Sequence, residues 1–278
     1  MKPVLFQVPT PFGTFPVSSF GVFLLLAFVV AILVAQARTR RLGWDSGEVV
    51  DLSLYAIIGG IVGARIGYVL VHLRDFVAVP ARVLMIWVDA GLTFYGALVG
   101  GAVVAWVYGR RRGWRLAVLA DVAAPSLAIG YAIAMVGALL YGLNYGRPAH
   151  VPWAVALFGE PRHPTQLYLG ALALVNLGIL LAVGGGSARR PGRLFWLFVL
   201  MMAVERIVVE TFMDSPRLIN GLTLAQLVNI VAAVLAAVMW LTRAETWDSP
   251  EAQPVEALPT RTGKPIAPPD AGGSQGAL

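Results

Sequence analysis

Seven apolar runs, each close to the length of a membrane-crossing helix, constrain this chain more than any other feature. They cover about residues 17–37, 52–71, 92–108, 116–141, 166–183, 194–212 and 222–241. A helix needs about 20 mostly apolar residues to cross the hydrocarbon core, because unpaired backbone groups are too costly there. The run at 116–141 is long enough to tilt or break. The predicted fold class is therefore all-α: a polytopic integral membrane bundle of about seven transmembrane helices. Composition agrees, with only 13% charged residues and 58% hydrophobic ones, where soluble domains carry about a quarter charged.

Orientation follows from the loops. Arginines gather in alternate connections: Arg38, Arg40 and Arg41; Arg110, Arg111, Arg112 and Arg115; Arg189, Arg190 and Arg193; then Arg243. The other loops hold Lys2, Arg74, Arg82, Arg147, Arg162 and Arg217. The positive-inside rule then puts the N-terminus outside and the C-terminus in the cytoplasm. The net charge of +6 serves topology and anionic headgroups, not nucleic acid. Only Lys2 precedes the first run and Arg38 to Arg41 follow it, the reverse of a cleaved signal peptide, so that run reads as a retained helix. Residues 1–243 form one transmembrane domain, and the Pro-rich 244–278 reads as a disordered cytoplasmic tail. With no cysteine in the chain, any reacting thiol must arrive with a substrate.

The sixth run contains "AVERIVVE", residues 203–210. An ionisable group at the bilayer centre costs ~2.5–3.5 kcal/mol on insertion scales, so it faces the bundle interior and has a role. Arg206 and Glu210 stand i,i+4 on one face and can pair. The alternatives are a clamp between helices and a site for an anion, for which the planar guanidinium suits phosphate. Glu205, about 100° round the helix, makes a different contact. Arg65 is a second intramembrane cation, flanked by Gly59, Gly60, Gly63 and Gly67, which permit close helix approach. Asp121 and Thr165 can cap the helices they begin, and Gln166 and Tyr168 can turn inward. Pro164 ends whatever precedes it. His72, His150 and His163 lack ligand spacing, so no metal or other cofactor is predicted.

Taken in order, "GARIGYVL", "DVAAPSLAIG", "YGRP", "RHPTQLY", "ERIVVE" and "GLTLAQ" make the chain resemble bacterial prolipoprotein diacylglyceryl transferases from about residue 17 to 241. The resemblance implies a multi-pass enzyme of the bacterial cytoplasmic (inner) membrane, active in lipoprotein biosynthesis. Such an enzyme moves diacylglyceryl from phosphatidylglycerol to the lipobox cysteine thiol in the signal peptide of a preprolipoprotein, and glycerol phosphate leaves. Its implied partners are phosphatidylglycerol, those signal peptides and membrane lipids. The implied catalytic residues are Arg206, which binds the phosphate, Glu210, which orients it, and Tyr95. The implied substrate-binding residues are Arg65, Tyr68, Arg147, Arg162, His163, Gln166 and Tyr168.

The chain departs from the family signature Gly-Arg-x-Gly-Asn-Phe-x-Asn-Gly-Glu in "AMVGALLYGL". Met135 stands at the arginine, Ala138 and Tyr141 at the asparagines, and Leu143 at the glutamate. Tyr95 replaces the histidine of His-Gly-Gly-Leu, and Phe20 an early tyrosine. These losses motivate an alternative, a non-catalytic relative that binds phospholipid or lipoprotein as a scaffold or accessory subunit. A transporter lacks support because no repeat or paired broken helices occur. An intramembrane protease lacks its serine elbow and paired aspartates.

Overall fold

A computed structural model describes residues 2–10, 13–41, 45–83, 85, 91–184 and 191–245. The tail from 246 onward and the arginines at 189 and 190 lie outside the described residues. Seven helices of 18 residues or more occur among the described residues: α1 (Ser19–Arg41), α2 (Ser46–Val71), α4 (Phe94–Arg111), α5 (Leu116–Tyr141), α6 (Thr165–Gly184), α7 (Arg193–Glu210) and α8 (Leu224–Glu245). A short helix, α3 (Leu73–Ala78), and a 3-10 turn at Pro80–Val83 follow α2. Five of the long helices, α1, α2, α5, α6 and α8, are long and apolar enough to cross a membrane. The other two are diluted by charge: α4 ends in Arg110 and Arg111, and α7 carries Arg193, Glu205, Arg206 and Glu210.

Three antiparallel hairpins, which hydropathy does not register, fill the connections: β1 (Val4–Thr10) with β2 (Gly13–Ser18), β3 (Val155–Leu157) with β4 (Glu160–Arg162), and β5 (Arg217–Ile219) with β6 (Leu222–Thr223). The last turns at Asn220 and Gly221, with φ of 49° and 77°. An Asn-Gly pair suits such a two-residue turn because both central residues need positive φ.

The described residues cluster into two compact units, 36–119 and 2–35 with 120–245. In the first unit, α2 lies against α4 backbone to backbone. Gly59, Gly63 and Gly67 face Gly96, Gly100 and Thr93 so closely that a Cβ on Gly63 would strike the Gly96 carbonyl and come within 2.8 Å of the Gly100 Cα. Helix α2 starts at Ser46, well before the apolar run. Asp45 accepts from the Gly47 N–H at 2.8 Å, and buried Glu48 pairs with Arg112 at 2.8 Å.

In the second unit, α5 runs unbroken through the buried Pro125. Its Asp121 does not cap α5. Its carboxylate instead accepts from the backbone N–H groups of Gly192 at 2.6 Å and Phe195 at 2.8 Å, and so caps α7 from a neighbouring helix. Orphan N–H groups at a helix start need an acceptor wherever it comes from, and a spacing rule within one helix does not reveal an acceptor in another. Ala124, Ala128, Leu180, Leu194 and Phe198 close the core beneath this cap. Helix α8 opens with a capping box, in which the Thr223 N–H donates to Gln226 Oε1 at 3.1 Å and the Gln226 N–H donates to Thr223 Oγ1 at 3.2 Å.

Candidate functional site

Arg206 and Glu210 occupy the last turns of α7 and form an i,i+4 ion pair, Nη2 to Oε2, at 2.9 Å. The side chain of Glu210 is 1% exposed and that of Arg206 is 23% exposed. The anion is thus sealed within the unit, while the guanidinium reaches accessible space. Glu205 faces elsewhere, as its place on the helix predicts, and accepts from Asn176 Nδ2 of α6 at 2.8 Å. Its other oxygen, Oε1, has no hydrogen-bond partner among the described residues.

Just beyond Glu210 the chain enters a loop cluster that brings together five of the residues singled out in the sequence. The Met213 N–H donates to the Glu210 carbonyl at 3.1 Å, and bridges Gly146–Met213 and Pro148–Arg162 knit the loops. Arg147 Nε donates to the Met213 carbonyl at 3.0 Å. Arg162 donates to the Gly146 carbonyl at 3.1 Å, to Asp214 at 2.9 Å and to Glu160 at 3.1 Å, and lies over the Tyr145 ring. Hydrogen bonding to Asp214, with Glu160 adding to it, pushes the Arg162 pKa up from its ordinary value. The Tyr168 hydroxyl meets His163 Nδ1 at 3.2 Å and accepts from Trp153 Nε1 at 2.6 Å, and Phe212 packs against both rings.

Beneath these, Thr165 and Gln166 are fully buried. Thr165 does not cap α6. Its hydroxyl donates to the Asn144 carbonyl at 2.5 Å, and Gln166 Nε2 donates to the Leu143 carbonyl at 2.6 Å. A hydroxyl at the first helical residue finds the carbonyl of a loop held at φ 54° nearer than an N–H of its own helix. Gln166 Oε1 is buried and has no hydrogen-bond partner among the described residues. Of the signature positions that have turned apolar, Met135 and Ala138 are buried with Leu169 and Val209, whereas Leu143 is exposed.

Arg65, Tyr68 and Tyr95 belong to the other unit. Arg65 donates to the carbonyls of Val83 at 2.9 Å, Gly91 at 3.3 Å and Arg82 at 2.6 Å, and its guanidinium lies 5.7 Å from the Tyr68 ring centroid and 5.2 Å from that of Phe76. This intramembrane cation therefore gathers the segment after α2. Beside it runs an apolar groove of about 290 Å³, lined by Ile61, Val62, Ile66, Val69, Leu70 and Val83. Tyr95, in the first turn of α4, is 44% exposed and stacks edge-on against Phe94.

The sequence analysis passed over Asn176, a polar side chain within an apolar run, which in a membrane helix is itself a signal of an interior contact.

Apolar helices long enough to cross a membrane, with an ion pair held in the last turns of α7, define an integral membrane protein. A model of the family described as prolipoprotein diacylglyceryl transferase matches residues 3–242. The chain belongs to that family and is a transferase. Among its relatives, the phosphatidylglycerol–prolipoprotein diacylglyceryl transferase of Legionella pneumophila (strain Corby) is 30% identical over 251 residues, covering 86% of this chain and 96% of its own. That of Chromohalobacter salexigens is 31% identical over 252 residues, covering 87% and 94%. That of Clostridium tetani is 27% identical over 243 residues, covering 84% and 95%.

Proposed function

We propose that Arg206 grips the phosphate of phosphatidylglycerol in this transferase, which moves the diacylglyceryl group to the lipobox cysteine of a preprolipoprotein. The carrying observation is the unequal exposure of one ion pair, 23% for Arg206 against 1% for Glu210. A buried carboxylate aims the guanidinium and leaves it able to meet a ligand. The substrate thiol loses its proton, since only thiolate attacks well. Its sulfur then bonds to the glyceryl carbon as the carbon–oxygen bond to phosphate breaks. The electron pair leaves on glycerol phosphate, and a positioned cation stabilises the charge that develops there.

Glu210 holds Arg206, and the Arg147, Arg162, His163, Gln166 and Tyr168 cluster shapes the approach at the adjoining loop end. Arg65 and Tyr68 are assigned to substrate binding, and Tyr95 to hydrogen bonding during transfer, by the family pattern. In this reading α4 and α7 cross the bilayer with the five more apolar helices. Seven crossings leave the termini on opposite faces, and the arginine bias of the loops supports an N-terminus outside and a C-terminus in the cytoplasm of a bacterium's inner membrane, with the Arg110 to Arg115 cluster inside.

Expression in membranes depleted of their native transferase, with a lipobox substrate followed by mobility shift, tests the reaction. We expect lipidation, and a drop of ~100- to 1000-fold in rate for Arg206→Ala, the size typical of losing a charge-stabilising donor. No shift despite good expression would favour a lipid-binding scaffold instead.

A further inference from the structure

Transfer to sulfur needs a group that takes the thiol proton, and among the described residues of 2–35 and 120–245 few can do so. The carboxylates are engaged or remote. Glu210 holds Arg206 at 2.9 Å, Glu205 accepts from Asn176 at 2.8 Å, and Asp121 caps the far end of α7. Glu160 and Asp214 both pair with Arg162, and Glu245 ends α8, at the opposite end of that helix from the loops. Imidazole is the side chain that ordinarily exchanges a proton near neutral pH. Of the two histidines in this unit, His150 is exposed and His163 is half-buried.

His163 is held on several sides. Its backbone N–H donates to the Arg147 carbonyl at 3.1 Å, and its ring centroid lies 5.2 Å from that of Phe212, two residues beyond Glu210. The ring thus stands beside the end of α7 that carries the ion pair. Displacement at carbon brings the sulfur in on the side away from the departing phosphate, so the proton acceptor belongs near Arg206 and not against it. His163 Nδ1 lies 3.2 Å from the Tyr168 hydroxyl oxygen, which also accepts from Trp153 Nε1 at 2.6 Å. An Nδ1–H donating to that oxygen is present in both the neutral ring and the cation, so the network stays the same as a proton comes and goes at Nε2.

We propose that His163 accepts the lipobox thiol proton at Nε2, with Tyr168 and Trp153 as positioning residues that hold its ring. The sulfur bonds to the glyceryl carbon as the carbon–oxygen bond breaks, and the electron pair leaves on glycerol phosphate. The imidazolium then gives its proton to that phosphate. Arg147 and Arg162, with Glu160 and Asp214 on the latter, are the charged groups of the same loop cluster. Arg206 and Glu210 are those of the last turns of α7, and Tyr168 is the titratable group of α6 that meets the ring. The assignment rests on the reading of this chain as a transferase acting at Arg206.

The full chain in phosphatidylglycerol vesicles, given a lipobox peptide at two pH values, tests it. A thiol of pKa ~8.5 is only about 3% thiolate at pH 7, and a variant without a base must wait on that fraction. His163→Gln is expected to be roughly 30-fold slower than the native chain at about pH 7 and within about threefold of it at about pH 9.5, where solvent supplies the thiolate. Tyr168→Phe and Trp153→Phe should lose less at the lower pH and converge in the same way, with native unfolding midpoints. A His163→Gln deficit of equal size at both pH values overturns the assignment, as does a native rate at the lower one. If His163→Gln lowers the unfolding midpoint, Tyr168→Phe carries the same comparison: a deficit that closes with pH supports the assignment, and a constant deficit or none overturns it. If the native chain transfers nothing at either pH, or Arg206→Ala keeps the native rate, the reading of the Arg206 site falls and the assignment with it. If Arg206→Ala is inactive at both pH values while His163→Gln matches the native chain, the role of His163 alone is lost.

Discussion

Glu205 and Arg206 are sequence neighbours with opposite tasks, and their places on α7 decide which is which. Arg206 reaches accessible space, while Glu205 is buried against Asn176 at 2.8 Å. Such a pair is costly to break and nearly neutral to replace. Removing one partner leaves a desolvated polar group, whereas removing both leaves an apolar contact. Asn176→Leu is therefore expected to destabilise the protein by ~1–2 kcal/mol, read as a lower midpoint in detergent-solubilised thermal unfolding. Adding Glu205→Leu should recover most of that loss. A single variant as stable as the native chain would refute the pairing. At this scale the sequence shows Arg206 and Glu210 plainly, because i,i+4 spacing is a pattern within one helix. It does not show that Asn176 meets Glu205 or that Asp121 caps α7, because those contacts join helices and leave no periodic trace in either one.

Among the elements, the seven apolar runs and the long helices coincide closely, since one physical requirement, hiding backbone polar groups from hydrocarbon, governs both. The largest difference is at the start of α2, where polar interactions extend the helix. Helix α2 begins at Ser46 because Asp45 and Glu48 serve its first turn. The three hairpins are legible only through their turns, such as Asn220-Gly221. The glycines of "GGIVGARIG" read correctly as a close-packing face, and their partners on α4 are glycines as well. Gly63→Ala should force α2 and α4 apart and cost ~1–3 kcal/mol, the usual penalty of overpacking. Gly178→Ala, with nothing within 4 Å of the added carbon, should be neutral or slightly stabilising through helix propensity. Equal unfolding midpoints for the two variants would show that the α2–α4 contact tolerates a methyl group and is not close-packed.

For the molecule as a whole, the alternation of basic loops makes a claim that the helices alone do not. Charge bias sets orientation because translocating arginine against the membrane potential and away from anionic headgroups is unfavourable. The chain also offers an unusually clean way to examine it, since it contains no cysteine and any thiol introduced is the only one present. Leu218, in β5, and Arg111, at the end of α4, are both exposed, and they lie on opposite sides of the bilayer in the seven-crossing arrangement. Leu218→Cys should react with a membrane-impermeant maleimide in intact spheroplasts. Arg111→Cys should react only after the membrane is opened, and both proteins should retain transfer activity because neither residue belongs to the Arg206 site. If the two label from the same side, an even number of helices separates them and α7 does not span; a reversed order means that α4 does not span or that the whole protein is inverted. The consequence for chemistry is direct. Glu210 ends α7 and Leu218 lies in the loop region that follows it, so the Arg206–Glu210 pair sits at the same end of that helix as the introduced thiol. On the proposed reading of Arg206, the face that labels is the leaflet from which the phospholipid headgroup is drawn.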